Sequence, residues 1–190
     1  MDPALIPVFR AFTTAACEVL AQEMGHPVEV GTPRAQGGPY RTEAVDVTAI
    51  IGFTHDIEGT LFLGLTRATS VRYVARVAGA PVQGLDDPTQ SGVGELAIMI
   101  AGRAGAALAA LGQRMNIAPP LLVVGRDVVV STLAAPRLCV PLHTSLGEMR
   151  CTRPSQAAAS AAPWSWGSGG EGPFGLYGAR RTLPYTLLGP

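Results

Sequence analysis

The sequence predicts a mixed α/β domain, and three observations carry that prediction. Three segments repeat apolar residues at three- and four-residue intervals, the period of a helix with one buried face. Between and after them lie β-branched and apolar runs of strand length, bounded by Gly, Pro and Asp. Helix start and stop signals fall at the junctions between the two kinds of segment.

Asp2, or the stretch just before Pro7, caps a first helix in which Phe9, Phe12, Ala16, Val19, Leu20 and Met24 share one face, and Gly25 stops it. Val28 to Val30 reads as a short strand, and the segment through Gly37-Gly38-Pro39 as an irregular loop. Val45 to Phe53 and Thr60 to Leu65 are strands joined by a turn at His55-Asp56-Ile57-Glu58-Gly59, which makes them an antiparallel hairpin. Ala68 to Ala78 carries Val71, Val74, Ala75 and Ala78 at helical spacing before Gly79, a second and shorter helix. Asp86-Asp87-Pro88 then gives an N-cap followed by a first-turn proline, so a long helix runs through Glu95, Met99, Gly102, Ala106 and Ala109 to about Gln113. Pro119-Pro120 forces extended chain. Leu121 to Val124 and Asp127 to Ser131 read as strands joined by a tight turn at Gly125-Arg126, and Leu138 to Leu142 as another.

A long helix followed by strands appears in each half, the pattern of an old duplication. From Pro154 to Pro190, 12 of 37 residues are Gly or Pro and no period persists. The expected organisation is therefore a domain over residues 1–153 and a disordered tail over 154–190. Trp164 and Trp166 both fall in that tail, so tryptophan fluorescence should report on it and hardly on the core.

Composition narrows the function. The 190 residues are 47% hydrophobic and 15% charged, enough for one core, and 14 basic residues balance 14 acidic ones. With no basic stripe, nucleic acid and anionic membrane are not expected partners. Every basic residue is Arg, which excludes lysine nucleophiles and Schiff bases. Cys17, Cys139 and Cys151 are odd in number and form no CxxC pair, so neither disulfides nor a zinc site is expected and the cytoplasm is the expected compartment. The N-terminus lacks a basic leader, and no apolar run of about 18 residues is free of charge, so no membrane span is expected.

Few side chains offer chemistry. His26, His55 and His143 lack metal-ligand spacing and read as surface or strand-end residues, and Asp56 and Glu58 as turn formers. Gly92-Val-Gly94 has no strand before it, so it is not a dinucleotide fingerprint. Gly102 and Gly105 read as sites where another element packs closely. Glu95 is the exception, the one acidic residue between Asp87 and Asp127. Helical spacing puts Ser91, Glu95, Ile98 and Gly102 on one face. From the residues alone, Glu95 is either a solvated carboxylate on the unpacked half of the helix or part of a recognition site.

Two runs, Ser91-Gly-Val-Gly-Glu95-Leu-Ala-Ile98-Met-Ile-Ala-Gly102-Arg and Leu111-Gly-Gln-Arg-Met-Asn-Ile117-Ala-Pro-Pro120-Leu-Leu-Val-Val-Gly125, resemble the CheX branch of the CheC/CheX/FliY chemotaxis phosphatases. The resemblance extends, more weakly, over most of residues 6–150. It implies a largely antiparallel mixed sheet with long helices packed on it, dimerising through sheet edges. It also implies a partner, a phosphorylated CheY-type response regulator, whose aspartyl phosphate the family hydrolyses. The receiver brings its own magnesium ion and lysine, so the resemblance implies no cofactor for this chain. In the family one helix bears Asp or Ser, then Glu four residues on, then Asn three residues after that. The Glu pairs with the receiver's lysine, and the Asn orients the attacking water, a task of positioning rather than covalent chemistry.

By resemblance Ser91 takes the first position and Glu95 the docking acid, while Ile98 stands where the Asn belongs. Isoleucine has no donor or acceptor to hold a water. Losing one preorganised donor costs roughly 10²- to 10³-fold in rate, about 3 to 4 kcal/mol. Arg103 replaces a second Asn, and in the first helix Thr14 and Glu18 echo the pattern with Ala21 at the Asn position. The expectation is a receiver-binding protein with weak or absent phosphatase activity. Two rivals stand beside it: an active phosphatase that uses another amide such as Gln90, and a structural dimer module without a receiver partner. The family's last strand continues past Gly147-Glu148-Met149, whereas Arg150-Cys-Thr-Arg-Pro154 reads here as a run into low complexity, leaving the sheet edge incomplete.

Overall fold

A computed structural model of the chain describes residues 6–42, 46–131 and 137–154. The Asp2 cap and residues 155–190 of the expected tail, with both tryptophans, lie outside the described residues. The elements run α1 (Ile6–Met24), β1 (Glu29–Val30), β2 (Arg34–Gln36), β3 (Tyr40–Arg41), β4 (Val47–His55), β5 (Gly59–Leu65), α2 (Arg67–Ala78), α3 (Asp87–Ala109), β6 (Met115–Ile117), β7 (Leu121–Val124), β8 (Val129–Val130), β9 (Arg137–Thr144) and β10 (Gly147–Pro154). Every described strand pairing is antiparallel.

Eight strands form one sheet in the order β1-β9-β10-β5-β4-β6, with β2 also on β9 and β7 also on β4. The β4–β5 hairpin forms as the turn signal predicts, with Ile51 opposite Leu61 and Ala49 opposite Leu63. The period of two sends Val47, Ala49, Ile51, Phe53, Leu61, Leu63 and Leu65 to the helix side, where all are buried. The three helices supply the other half of that core: Phe12 of α1 stacks on Phe53 at a centroid distance of 5.2 Å, and Val93, Leu96, Ala97, Ile100 and Ala104 of α3 are fully buried.

Helix boundaries follow their signals. Asp86 caps α3 by accepting from the Thr89 backbone N–H at 3.0 Å, with Pro88 in the first turn. Thr66 does the same for α2 through Thr69 N–H, and Gly79, at φ 64°, closes its other end. Helix α3 stops at Ala109, short of Gln113, because Gly112 turns left-handed (φ 78°) and the Gln113 N–H returns to the Leu108 carbonyl at 3.0 Å. By length and composition α3 could span a membrane, yet 44% of its most apolar 18-residue window is buried inside this fold.

Three sequence expectations change. First, Arg150 to Pro154 does not run into low complexity: β10 lies between β9 and β5, in the middle of the sheet, with Met149 and Cys151 buried on the helix side. Second, β7 and β8 are not a hairpin, because β7 pairs with β4 and β8 with β3 in a separate two-stranded sheet. Thr42 holds the turn between them, its hydroxyl donating to the Gly125 carbonyl at 3.0 Å and accepting from the Val128 N–H at 2.9 Å. Third, Gly102 is not a packing glycine: it is exposed and a Cβ there would meet nothing within 4 Å. The close approach is at Gly92, where a Cβ would lie 2.7 Å from Val74 Cγ2 of α2, and to a lesser degree at Gly105, 3.2 Å from Met115 Cε.

Candidate functional site

Helix α3 turns Thr89, Val93, Leu96, Ala97, Ile100 and Ala104 inward, and this fixes what faces outward. Ser91, Glu95, Ile98 and Gly102 are all exposed, one stripe along the helix as their spacing predicts. Ile98 is 42% exposed and its neighbour Met99 is 38% exposed, an apolar spot beside the Glu95 carboxylate. The bare backbone at Gly102 leaves a gap in the stripe one turn beyond Ile98.

Helix α1 lies alongside α3 and extends this surface with its own exposed stripe of Thr14, Glu18 and Gln22. Arg103 joins the two helices: Nη1 lies 3.4 Å from Glu18 Oε2, and Nη2 donates to Gln22 Oε1 at 3.1 Å. The arginine in the position of a second Asn is therefore a strut between helices. Buried Tyr73 of α2 lies near both helices, its phenol pushed up in pKa chiefly by burial and further by the negative charges of Glu23 and Glu95. The surface thus combines an exposed acid, an apolar spot, a backbone gap and one guanidinium-held carboxamide. It can bind a cation and orient an apolar contact.

Gln90 is bonded elsewhere. Its Nε2 donates to the Leu85 carbonyl at 2.9 Å, a bond to the loop that precedes α3. Gln22 is the amide on the candidate face, and sequence reasoning missed it although it stands four residues after Glu18. Ala21, at the Asn-equivalent position of α1, is half-buried. Asp56 serves the hairpin tip: it accepts from the Arg114 backbone N–H at 2.9 Å and pairs with His55 Nδ1 at 2.9 Å. Among the described residues no cluster of three or more His, Cys, Asp and Glu could hold a metal ion.

The sequence profile of the family described as chemotaxis phosphatase CheX matches residues 47–143, the β4 to β9 span that contains the stripe. The chain belongs to the CheX family. The protein described as CheY-P phosphatase CheX from Thermotoga maritima is 34% identical over 87 residues, 45% of this chain and 56% of that protein's length. The chain thus spans little more than half of this curated CheX relative. Chemotaxis protein CheX from Desulfovibrio desulfuricans aligns with a TM-score of 0.67 at 26% identity, over 78% of this chain and 98% of that one. A structure of the CheX–CheY–BeF3–Mg complex from Borrelia burgdorferi aligns with a TM-score of 0.64 at 22% identity, over 77% of this chain and 96% of that one, a likeness of fold. The CheX fold is thus the mixed helix-and-sheet arrangement that the sequence implied.

Proposed function

We propose that this CheX-family protein binds a phosphorylated CheY-type receiver through the exposed α3 stripe and hydrolyses its aspartyl phosphate weakly or not at all. Glu95 is the docking acid, meeting the receiver's lysine, and Ser91, Ile98 and Gly102 complete the contact. The observation that carries the reading is the exposed stripe itself: Glu95 and Ile98 stand side by side on solvent-facing turns of α3, with no hydrogen-bonding group at the position of the family's Asn. The receiver supplies the magnesium ion, and this chain supplies orientation. The reading includes a homodimer through sheet edges, where Ile117, Leu121 and Val124 of β6 and β7 are 36%, 62% and 44% exposed.

The test measures decay of a phosphorylated CheY-type receiver with and without this protein, together with binding. Saturable binding lost in Glu95→Ala, with little acceleration of decay, is the expected result. Acceleration comparable to that of an Asn-bearing relative would sink the binding-only reading. One observation favours an active alternative, namely that Arg103 fixes the oxygen of Gln22 and so orients an amide group on the same face. If the protein accelerates decay and Gln22→Ala removes that acceleration while binding persists, Gln22 is the water-positioning amide. Failure to recover any phosphorylated receiver at low salt would leave only the structural-module reading.

A further inference from the structure

Helix α2 is fastened to both of the long helices. Arg76 Nη2 donates to the carbonyl of Met24, the last residue of α1, at 2.9 Å. Val74 packs so closely on α3 that a Cβ at Gly92 would lie 2.7 Å from its Cγ2. Tyr73, next to Val74 and one turn before Arg76, is thereby held near the end of α1 and the first half of α3. Its side chain is only 2% exposed, yet its hydroxyl has no hydrogen-bond partner among the described residues. A buried phenol ordinarily finds one.

Two carboxylates converge on the same phenol. Glu23, half-buried beside Met24, and Glu95, exposed one turn beyond Gly92, both bring their negative charge to it. Neither has an ion pair or a hydrogen bond among the described residues. The guanidinium of Arg76 is engaged with the Met24 carbonyl, and that of Arg103 with Glu18 and Gln22. Like charges without a counter-ion repel, and a cation between them turns that repulsion into attraction. Burial and the two acids also keep the proton on the phenol, so its oxygen meets a cation as a neutral acceptor.

The kind of cation follows from the donor set. Among the described residues no third His, Cys, Asp or Glu joins the pair into a metal-holding group. An ammonium carries three N–H donors and no acceptor, which matches in number three acceptors, one from each helix. A guanidinium spreads its donors in a planar fork suited to a single carboxylate.

We propose that Glu23 and the Tyr73 hydroxyl complete, with Glu95, a three-helix cradle for one ammonium group, the lysine of the docked receiver. The proposal rests on the receiver-binding reading and adds two residues to it. Glu23 is a second docking acid, Tyr73 is a neutral acceptor, and together they select lysine over arginine at that place in the partner.

The experiment measures binding of the full-length protein to a CheY-type receiver in its beryllofluoride form by titration calorimetry. Glu23→Gln is expected to weaken binding about tenfold and Tyr73→Phe about threefold, the loss of one charge-assisted and one weaker hydrogen bond. Both exchanges preserve the shape of the side chain and should keep the fold. Against a receiver whose lysine is replaced by methionine both losses should vanish, and replacement of that lysine by arginine should weaken binding to the unaltered protein. Suppose that Glu95→Ala loses binding while Glu23→Gln and Tyr73→Phe keep full affinity, or lose as much against the methionine-bearing receiver. Either result would overturn the cradle and leave the receiver reading standing. Full binding in Glu95→Ala would refute that reading and the cradle with it.

Discussion

Restoring an amide at position 98 is the sharpest probe of the α3 stripe. The substitution Ile98→Asn acts on a side chain already 42% exposed, so it removes only part of the burial worth about 1.5–3 kcal/mol for a fully enclosed isoleucine. A loss of roughly 1 kcal/mol, against a typical domain stability of about 5–15 kcal/mol, leaves the protein folded. Nothing lies within 4 Å of a Cβ placed at Gly102, one turn away, so the new carboxamide has room to reach into a docked receiver. If Ile98 is what silences the site, the gain should equal the loss of one preorganised donor, roughly 10²- to 10³-fold in receiver dephosphorylation. The assay is single-turnover decay of the phosphorylated receiver at saturating protein, and Glu95→Ala in the same background should abolish the gain. A variant that still binds the phosphorylated receiver but leaves its decay unchanged would refute the assignment of position 98.

Two glycines of α3 should respond in opposite senses in urea unfolding. Gly102→Ala is expected to stabilise by about 0.5–1 kcal/mol, since the site is open and glycine weakens a helix interior. Gly92→Ala should destabilise by about 1–3 kcal/mol, because its Cβ would enter Val74, a stiff buried side chain. Asp46 predicts an acid response: Arg126 first, then the Arg67 backbone N–H, hold its carboxyl below the usual carboxylate range. A depressed folded pKa stabilises fully above the unfolded value near 3.9 and loses that contribution as pH falls through the folded one. Stability measured below about pH 4 should therefore fall less steeply in Asp46→Asn than in the unaltered protein.

Much of the fold was legible because its signals are local. Asp86-Asp87-Pro88 specifies the start of α3 by itself, and alternating apolar residues on either side of the His55 to Gly59 turn specify the central hairpin. Strand β10 carries the same period of two, with Met149 and Cys151 against Glu148, Arg150 and Thr152, but its charged positions hide it. Strands β2, β3 and β8 exist through distant partners, Arg34 opposite Cys139 and Tyr40 opposite Val130, a pairing that no local pattern encodes. At the candidate site the spacing gave the exposed stripe, whereas the Arg103 strut to Glu18 and Gln22 depends on how two helices separated in sequence by β1 to β5 and α2 are laid together.

The central place of β10 has a consequence for biosynthesis. Strand β5 acquires its second neighbour only when the last of the described strands has been made, about ninety residues later, or on the order of ten seconds at about 5–20 residues per second. Until then one edge of β5 offers unpaired backbone beside Leu61, Leu63 and Leu65, the kind of edge on which nascent chains associate. Chaperone demand during translation should therefore depend on how quickly the ribosome passes from Leu65 to Pro154, and a stall inside that window should cost more soluble protein than one before it.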